Sequence, residues 1–520
     1  MSLEKELSPQ ALYHACDPEQ FDFELSSELS DISEIIGQAR ALDSLHFGIG
    51  MKKEGYNLFV LGPNGMGKHT MVHDYLERQA QSMSVPDDWC YVNNFQHQHK
   101  PTTIALPAGK GAEFRQDMDQ LLEDLLVSIP RAFETEVYRE KVKEIESRYE
   151  KEREAAILAL DKEAEEKQVR LMRSPSGFVL TAVRDGKPIN AKEFDALPQS
   201  EREKVQQTID ELEGKLNNFL QLVNQTMRET RKKIKELNEE VAIFAAGHLI
   251  DALKDKYKYY EKIIQFLDDM QEDVVEHLDE FQNPHSKRNI LGMVVDEGVE
   301  KKRYKVNLLV DNSQLEGAPV IYEDNPMYHN LVGRIEHVSQ IGTLVTDFTL
   351  IKAGSLHQAN GGYLILDARK LLTQPYAWEG LKRALAAKEI RIQSLAELFS
   401  LISTVSLQAE PIPLDIKIVL IGDRLLYYLL MEYDPEFLEL FKVAADFEED
   451  IARNDENMML YARMIATLER KEELLSFDRS AVARIIEYSS RKADDAGKLT
   501  THMLSIIDLM READYWAREA

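Results

Sequence analysis

The segment Leu58–Thr70, with the sequence LFVLGPNGMGKHT, constrains the fold more than any other part of this 520-residue chain. Four apolar residues that favour a β-strand lead into a loop with glycines at Gly62, Gly65 and Gly67, and Lys68 follows. Such a loop lets successive backbone N–H groups point inward around a phosphate, while the lysine reaches the outer phosphates. The helix expected from Lys68 onward directs the positive end of its dipole at the same anion. The segment therefore predicts a nucleoside triphosphate site in an α/β domain.

A glycine-rich turn between a strand and a helix can also form without a ligand. We favour the nucleotide site because the strand, the glycines, the lysine and the helix occur in the required order. One position departs from the pattern, since His69 stands where a Ser or Thr hydroxyl usually ligates Mg²⁺, and Thr70 comes one position late. We expect ATP and Mg²⁺ as ligands, with Thr70 as a candidate metal ligand. The loop residues expected to contact the nucleotide are Gly62, Pro63, Asn64, Gly65, Met66, Gly67, Lys68, His69 and Thr70.

The bulk properties indicate a globular protein with several domains. The chain is too long for one hydrophobic core. Its net charge of −28 and pI near 5.0 argue against a protein that coats nucleic acid or an anionic membrane, although they do not exclude a local basic patch. Cys16 and Cys90 are the only cysteines in the sequence, which suits a reducing compartment. Because the N-terminus lacks a signal-peptide pattern and Val241–Ile250 is too short to span a bilayer, we expect a cytoplasmic protein without a membrane segment.

Changes in amino-acid composition and hydrophobic pattern divide the chain into five segments. Strand and helix patterns alternate before and after a central region that is dense in Glu, Lys, Arg and Gln. The central region has apolar residues spaced four and three apart, which is typical of a coiled coil. The expected segments are an N-terminal segment (1–24), the first part of an α/β core (25–130), a helical insertion (131–288), the second part of the core (289–450) and a helical lid (451–520). Within the lid we expect a helix at Arg479–Lys492 that is capped by Asp478.

The helical insertion is predicted to be an antiparallel arm, with a first limb at Val137–Met172 and a second at Lys204–Phe244. Between its two limbs, an FVLTAV run followed by Asp185-Gly186 predicts a β-hairpin tip. The arm either holds shape as a spacer or contacts a substrate or partner. The coiled-coil positions of the second limb are Val205, Ile209, Leu212, Leu216, Phe219 and Val223 and, after an interruption at Met227, Ile234, Leu237, Val241 and Phe244.

A second half of the nucleotide site is expected about three hundred residues further on. The run Gly361–Asp367 (GGYLILD) predicts a buried strand that ends in a carboxylate able to orient Mg²⁺, although Asp367 could instead cap the strand end. The next position, where ATPases of this kind often carry a glutamate that polarises water, is Ala368. A further strand, Asp415–Gly422, is followed by Asp423, which is either a water-sensing polar group or a turn residue.

Several motifs resemble the ATPase part of Lon-like proteases of the AAA+ class, and the bacterial Lon-related group with a long helical insertion is the most similar. The resemblance covers nearly the whole chain from Phe21. It implies an α/β P-loop AAA+ domain with an inserted antiparallel coiled-coil arm and an α-helical C-terminal lid. The matching stretches are Asn325–Glu336 (NPMYHNLVGRIE), Val345–Phe348 (VTDF), Ala353–Asp367 (AGSLHQANGGYLILD), Trp378–Leu385 (WEGLKRAL), Ile421–Tyr427 (IGDRLLY) and Glu512–Ala517 (EADYWA).

The resemblance also implies a function and site residues. The family forms a ring, usually a hexamer, that moves unfolded or partly folded protein substrates toward a Ser/Lys peptidase domain. Lys68 and Asp367 match its catalytic positions, and Ile36 and Gly37 match the stretch that meets the adenine. Several positions depart from the family pattern and put hydrolysis in doubt more than binding. They are His69, Ala368, His502 in place of an arginine that reaches the γ-phosphate, and Lys442 near the usual arginine finger.

The peptidase itself is not recognisable in this sequence. The segment most similar to its serine motif, Ser174-Pro-Ser-Gly177, lies at the expected arm tip. We therefore expect either a fragment of a longer protease or a stand-alone ATPase whose peptidase acts in trans or is lost. Tyr328 and the stretch 338–344 are candidates for a substrate-gripping pore loop, or for a plain connection.

Two other functions stay open. A nucleotide-gated chaperone or scaffold would bind ATP with weak or no hydrolysis and would use the arm to grip partners. An SMC-like DNA-linked ATPase would also separate its two nucleotide motifs by a coiled coil. The missing Leu-Ser-Gly-Gly signature and the acidic charge argue against that class and against a nucleic-acid partner.

Overall fold

A computed structural model describes residues 13–32, 36–174, 177–184, 187–189, 198–282, 287–290, 293–340, 343–393 and 407–520. In chain order its strands are β1 Leu58–Leu61, β2 Asp88–Val92, β3 Thr102–Leu106, β4 Val169–Ser174, β5 Gly177–Arg184, β6 Lys187–Pro188, β7 Lys287–Ile290, β8 Met293–Asp296, β9 Asn307–Val310, β10 Val320–Glu323, β11 Arg334–Ile335, β12 Val338–Gln340, β13 Thr343–Val345, β14 Ile351–Lys352, β15 Tyr363–Asp367, β16 Glu389–Ile390, β17 Ile412–Pro413, β18 Lys417–Gly422, β19 Val443–Asp446, β20 Asp450–Ala452 and β21 Lys498–Thr500.

The α-helices, in the same order, are α1 Ala39–Gly50, α2 Lys68–Ala80, α3 Lys110–Glu134, α4 Glu136–Glu166, α5 Gln199–Lys256, α6 Glu261–Glu276, α7 Leu278–Gln282, α8 Tyr328–Val332, α9 Ser355–Gln358, α10 Ala368–Thr373, α11 Ala377–Ala387, α12 Arg424–Tyr433, α13 Phe437–Leu440, α14 Asp455–Lys471, α15 Arg479–Lys492 and α16 Met503–Glu519. Short 3₁₀ helices lie at Pro18–Gln20, Ser26–Glu28, Glu297–Tyr304 and Phe348–Leu350. Within the part of the chain that is described, no helix combines the length and apolar character needed to cross a bilayer.

The chain divides into two compact units. The first combines Met1–Gln116 with Lys305–Ala520, and the second is Asp117–Tyr304. The first unit contains a parallel sheet of five strands in the order β10-β15-β18-β1-β19. Leu61 pairs with Gly422, and Asp367 pairs with Ile421. Because β18 lies between β1 and β15 and all three end at one edge, the residues that follow them emerge side by side.

Both faces of this sheet are covered, which explains the continuous apolar run of β1. Leu58 and Val60 pack in a cluster with α1 and α2, whereas Phe59 and Leu61 pack in a second cluster with α8, α11 and α13. A strand buried on both faces needs no polar alternation. The helix α2 follows residues 62–67, which we call the phosphate loop, and is held against the sheet by its own apolar side, through Val72 and Leu76.

Two further parts complete the first unit. An antiparallel sheet has the strand order β3-β2-β9. The helices α14, α15 and α16 enclose a separate core, in which Phe21 and Phe23 from the start of the chain are also buried. The expected helix Arg479–Lys492 is confirmed, and the Asp478 side chain caps it by accepting a hydrogen bond from the Ala481 amide.

The second unit is built around the long helices α4 and α5. The Tyr138 hydroxyl donates to Asn238 Oδ1 across 2.8 Å, and Lys167 Nζ donates to Glu211 Oε1 across 2.9 Å. The first pair joins the start of α4 to the late part of α5. The second joins the residue after α4 to the early part of α5, so the two helices run antiparallel. Their shared core contains Leu160, Ala164, Leu212, Leu216 and Phe219.

The structure differs from the sequence-based expectation at two places in this unit. The first limb was expected to be helical to Met172, but α4 ends at Glu166 and Val169–Ser174 forms β4, whose apolar Val169 is buried against β5. Phe244, expected in the coiled-coil seam, is 84% exposed, because Ala242, Ala245 and Ala246 occupy the buried side of α5 there. The expected turn Asp185-Gly186 lies outside the described residues, as do Pro175 and Ser176 of the segment similar to the serine motif and residues 341 and 342 of the candidate pore loop.

Candidate nucleotide-binding site

The phosphate loop joins β1 to α2 in a backbone conformation that needs glycine. Gly62, Gly65 and Gly67 have φ values of 147°, 84° and 74°, which side-chain-bearing residues rarely adopt. Gly67 is also the residue immediately before α2. The open amide groups at the start of α2 therefore face the same space as the loop, as an anion site requires.

Lys68 is the first residue of α2, and its side chain is buried beneath the loop. Its ammonium donates to the Gly62 carbonyl oxygen and, across 3.2 Å, to the Gly422 carbonyl oxygen. Burial lowers the pKa of Lys68 to about 8, although the nearby carboxylates of Asp423 and Asp367 oppose that shift. A buried ammonium bonded to neutral carbonyls favours binding of an anion, because a phosphate would supply the compensating charge.

Asp367 ends β15 and begins the helix α10. Its Oδ1 accepts a hydrogen bond from the Lys370 amide across 2.8 Å, so the carboxylate acts as an N-cap. Its other oxygen lies 4.0 Å from Nε2 of His69. Asp367 can therefore act both as a helix cap and as a metal ligand, since one oxygen caps the helix and the other faces α2.

His69 and Thr70 lie on an exposed part of the first turn of α2. The His69 ring stands edge-on against the Tyr322 ring, with centroids 5.5 Å apart. Burial lowers the pKa of His69, and the Asp367 carboxylate opposes that shift. Both residues line a cavity of about 380 Å³ together with Tyr322, His73, Asp74 and Ile365. The structure thus places an imidazole opposite Asp367.

Asp423 follows β18 at the same edge of the sheet. Its Oδ1 accepts from the Leu426 amide across 2.8 Å and caps α12, and its Oδ2 accepts from Arg369 across 2.9 Å. Burial alone would raise the pKa of Asp423, but the Leu426 amide and the Arg369 guanidinium hold it below its usual value. The cap of α12 supports the interpretation of Asp423 as a turn residue, and its role as a water-sensing group stays a prediction.

His502 lies against the phosphate loop from the C-terminal helices. A Cβ atom added to Gly65 would come within 2.5 Å of His502 Nε2, and the Leu504 amide donates to the Gly65 carbonyl oxygen across 3.0 Å. The Nδ1 atom of the ring faces the Ser505 hydroxyl at 2.8 Å. The structure therefore brings together His502 and the loop, which are more than four hundred residues apart in sequence.

Ile36 and Gly37 lie before α1, beside the C-terminal core. Ile36 packs against the hydrophobic cluster of α14, α15 and α16. Gly37 has a φ of 70°, and a Cβ atom there would collide with Ile451. The next residue, Gln38, exchanges hydrogen bonds with the backbone of Glu448 at 2.9 Å. These hydrogen bonds attach the segment to the residues that follow β19. In the sheet, β19 and β15, which ends in Asp367, lie on opposite sides of β1, the strand that leads into the loop.

Sequence reasoning missed two side chains at this edge. Tyr322, in β10, contacts the His69 ring edge-on. Arg369, two residues after Asp367, donates a hydrogen bond to Asp423. The charged run Asp367–Lys370 was a usable signal for Arg369, whereas the contact of Tyr322 depends on strand order. Ala368, where a glutamate was sought, is fully buried, and Lys442 contacts the Tyr56 ring at 5.2 Å.

Three family models match parts of the chain. The model of the LonB-like AAA domain matches residues 316–448, the archaeal LonB AAA+ ATPase LID domain matches 476–520, and the Lon-like LonC helical domain matches 88–121. The first range includes Asp367 and Asp423, and the second includes His502. The phosphate loop lies outside all three ranges.

Curated relatives are similar over a limited part of the chain. The archaeal Lon protease of Thermoplasma volcanium is 27% identical over 215 residues, which are 40% of this chain and 31% of the relative. That of Archaeoglobus fulgidus is 29% identical over 214 residues, covering 40% and 33%. A putative Lon protease homolog of Escherichia coli is 31% identical over 129 residues, covering 25% and 21%. The similarity thus spans about a third or less of each relative.

Proposed function

We propose that this chain, which belongs to the Lon-like AAA+ family, is an ATP-binding module that handles protein substrates for a peptidase. The family implies ATP together with a divalent metal ion, and Mg²⁺ stays a prediction of the sequence. The observation that carries the proposal is the buried ammonium of Lys68, bonded to carbonyl oxygens at the base of a loop with three positive-φ glycines.

The roles of individual residues are part of the proposal. Lys68 would hold the outer phosphates, and the amides of the loop would surround them. His502 would approach the γ-phosphate from the C-terminal helices, and Asp423 would orient water near Lys68. Ile36 and Gly37 would meet the adenine, and Asp367, with Thr70 as the predicted hydroxyl, would face the metal ion. The contacts of Lys68, His502 and Asp423 at one end of the sheet support this assignment.

The larger assembly is inferred from the family. A homo-oligomeric ring, in most such proteins a hexamer, would present unfolded or partly folded protein substrates to a Ser/Lys peptidase domain in cis or in trans. The antiparallel pair α4 and α5 would be a coiled-coil arm, and α14, α15 and α16 would be the lid. A cytoplasmic location stays a prediction of the sequence.

A second function is favoured by one observation. Ala368 is fully buried and offers no carboxylate beside Asp367 to polarise a water molecule. A nucleotide-gated chaperone or scaffold needs ATP binding without rapid turnover. We retain this alternative because the same site would serve it.

Calorimetric titration with ATP tests the shared claim of both functions. We expect Lys68→Ala to weaken ATP binding at least about tenfold, since it removes the cation that compensates the phosphates. Lys52→Ala, at an exposed lysine before β1, should bind as the unchanged chain does. Equal affinity of the Lys68→Ala variant and the unchanged chain would contradict the proposal.

Phosphate release separates the two functions. Turnover that rises when an unfolded protein such as casein is added would support the motor of a protease. Tight binding with no release above background would instead support the chaperone or scaffold.

A further inference from the structure

The side chain that faces Asp367 at the phosphate loop is an imidazole. His69 Nε2 and Asp367 Oδ2 lie 4.0 Å apart, and the Tyr322 ring stands edge-on against the imidazole. His69 occupies the position from which a hydroxyl would ligate Mg²⁺ beside the phosphates. Between them, His69 and Asp367 therefore offer a cation one nitrogen and one carboxylate oxygen.

This donor set does not fit Mg²⁺. Magnesium prefers oxygen ligands in a strict octahedron and keeps much of its water, whereas imidazole nitrogen suits the later divalent metals. Two ligands that each lie about 2.0–2.2 Å from one metal ion are at most about 4.4 Å apart, when they lie on opposite sides of it. The observed separation of 4.0 Å falls within that limit, so the two side chains can share one ion after a small adjustment.

We propose that the cation accompanying the nucleotide at this site is a transition-metal ion that accepts imidazole, such as Co²⁺, bound by His69 and Asp367. This inference rests on the proposed binding of ATP and adds the identity of the metal. It assigns to His69 a positive role, where the sequence alone indicated only a lost magnesium ligand.

A neighbouring group of side chains must be distinguished from this site. On the next two turns of α2, ligand atoms of His73, Asp74 and Glu77 lie within 4.8 Å of one another. His73 and Asp74 line the same cavity as His69. These side chains are at least partly exposed, and exposed groups of this kind are common without an ion. Metal binding must therefore be assigned by variants at both histidines.

The test measures ATP affinity by calorimetry in EDTA, Mg²⁺, Mn²⁺ and Co²⁺ for the unchanged chain, His69→Ser and His73→Ser. We expect the unchanged chain to bind ATP at least about tenfold more tightly with Co²⁺ than with Mg²⁺, with Mn²⁺ between them, following the order in which these metals bind nitrogen. His69→Ser restores a hydroxyl and should reduce that ratio to near one. His73→Ser should keep the ratio, since its imidazole does not face Asp367.

A spectroscopic readout checks the ligand directly. Electron spin-echo spectra of the Mn²⁺–ATP complex should show ¹⁴N coupling in the unchanged chain and in His73→Ser, and none in His69→Ser. Equal affinity with Mg²⁺ and Co²⁺, or ¹⁴N coupling that is lost only in His73→Ser, overturns the inference. Failure to bind ATP in every metal and in EDTA would instead refute the proposed function, so the two failures are distinguishable.

Discussion

Gly65 is the residue at which the phosphate loop and the C-terminal helices meet most closely. Its φ of 84° is strained for any other residue, and an added Cβ would press on the His502 ring. We expect Gly65→Ala to destabilise the first unit by about 1–3 kcal/mol and to weaken ATP binding. Urea unfolding and calorimetry would measure the two effects.

Two companion variants separate the causes of that effect. In a His502→Ala background, Gly65→Ala should lose less stability, because the steric part is removed and only the φ strain remains. Gly214→Ala, in α5 at a glycine with open space around its Cα, should not lose stability. An equally harmful Gly65→Ala change with and without His502 would contradict the contact.

His357 predicts a specific pH dependence of stability. The side chain is fully buried, and within the described residues its Nε2 atom has no hydrogen-bond partner. Burial lowers its pKa to about 3 from an ordinary value of 6.5. Between these two pKa values the unfolded chain binds a proton at His357 and the folded chain does not. The contribution of His357 to stability is therefore fully present above pH 6.5 and is lost as the pH falls toward 3. The loss is about 1.4 kcal/mol per pH unit within that window.

Comparison with His357→Gln isolates this effect, because all other titrating groups are shared. Unfolding free energies between pH 6.5 and pH 4.5 should fall less steeply in the variant, whatever its stability at pH 7. Parallel slopes for the two proteins would show that the imidazole is accessible to protons in the folded state.

At the scale of elements, the sequence predicted the parts that depend on local pattern. The strands β1, β15 and β18 were expected because each is a short apolar run bounded by turn residues, and α15 because Asp478 offers a cap. The pairing of Tyr322 with His69 was not predictable, since it depends on β10 lying next to β15 in the sheet. The contact of His502 with Gly65 likewise depends on how the C-terminal helices pack.

The helix α5 shows where a repeating pattern predicts burial well and where it fails. Leu212 and Phe244 were both expected in the coiled-coil seam, yet Leu212 is fully buried and Phe244 is 84% exposed. The pattern fails at Phe244 because three alanines nearby supply the buried side instead. We expect Leu212→Ala to cost about 2–5 kcal/mol of stability and Phe244→Ala less than about 0.5 kcal/mol.

Chemical unfolding followed by the helical circular dichroism signal would measure both variants. The larger side chain is removed in the Phe244 variant, so a simple dependence on side-chain size predicts the reverse order. A greater loss for Phe244→Ala than for Leu212→Ala would mean that the buried face of α5 has been assigned incorrectly.

At the scale of the whole molecule, the two compact units predict two responses to heat. Each unit has its own hydrophobic clusters, around the parallel sheet in the first and between α4 and α5 in the second. All the proposed nucleotide contacts belong to the first unit. We therefore expect two calorimetric transitions, and ATP should raise the midpoint temperature of only one of them. The corresponding gain in the free energy of unfolding is about 2.7 kcal/mol when ATP is present at 100 times its dissociation constant.

Variants already described assign the two transitions. Leu212→Ala should lower the transition that ATP leaves unchanged, whereas Gly65→Ala should lower the transition that ATP raises and should reduce its shift. Lys68→Ala should reduce the ATP shift to about half or less while leaving the second transition in place. If ATP raised the transition that Leu212→Ala lowers, the second unit would unfold together with the nucleotide site. The second unit would then be energetically coupled to ATP binding.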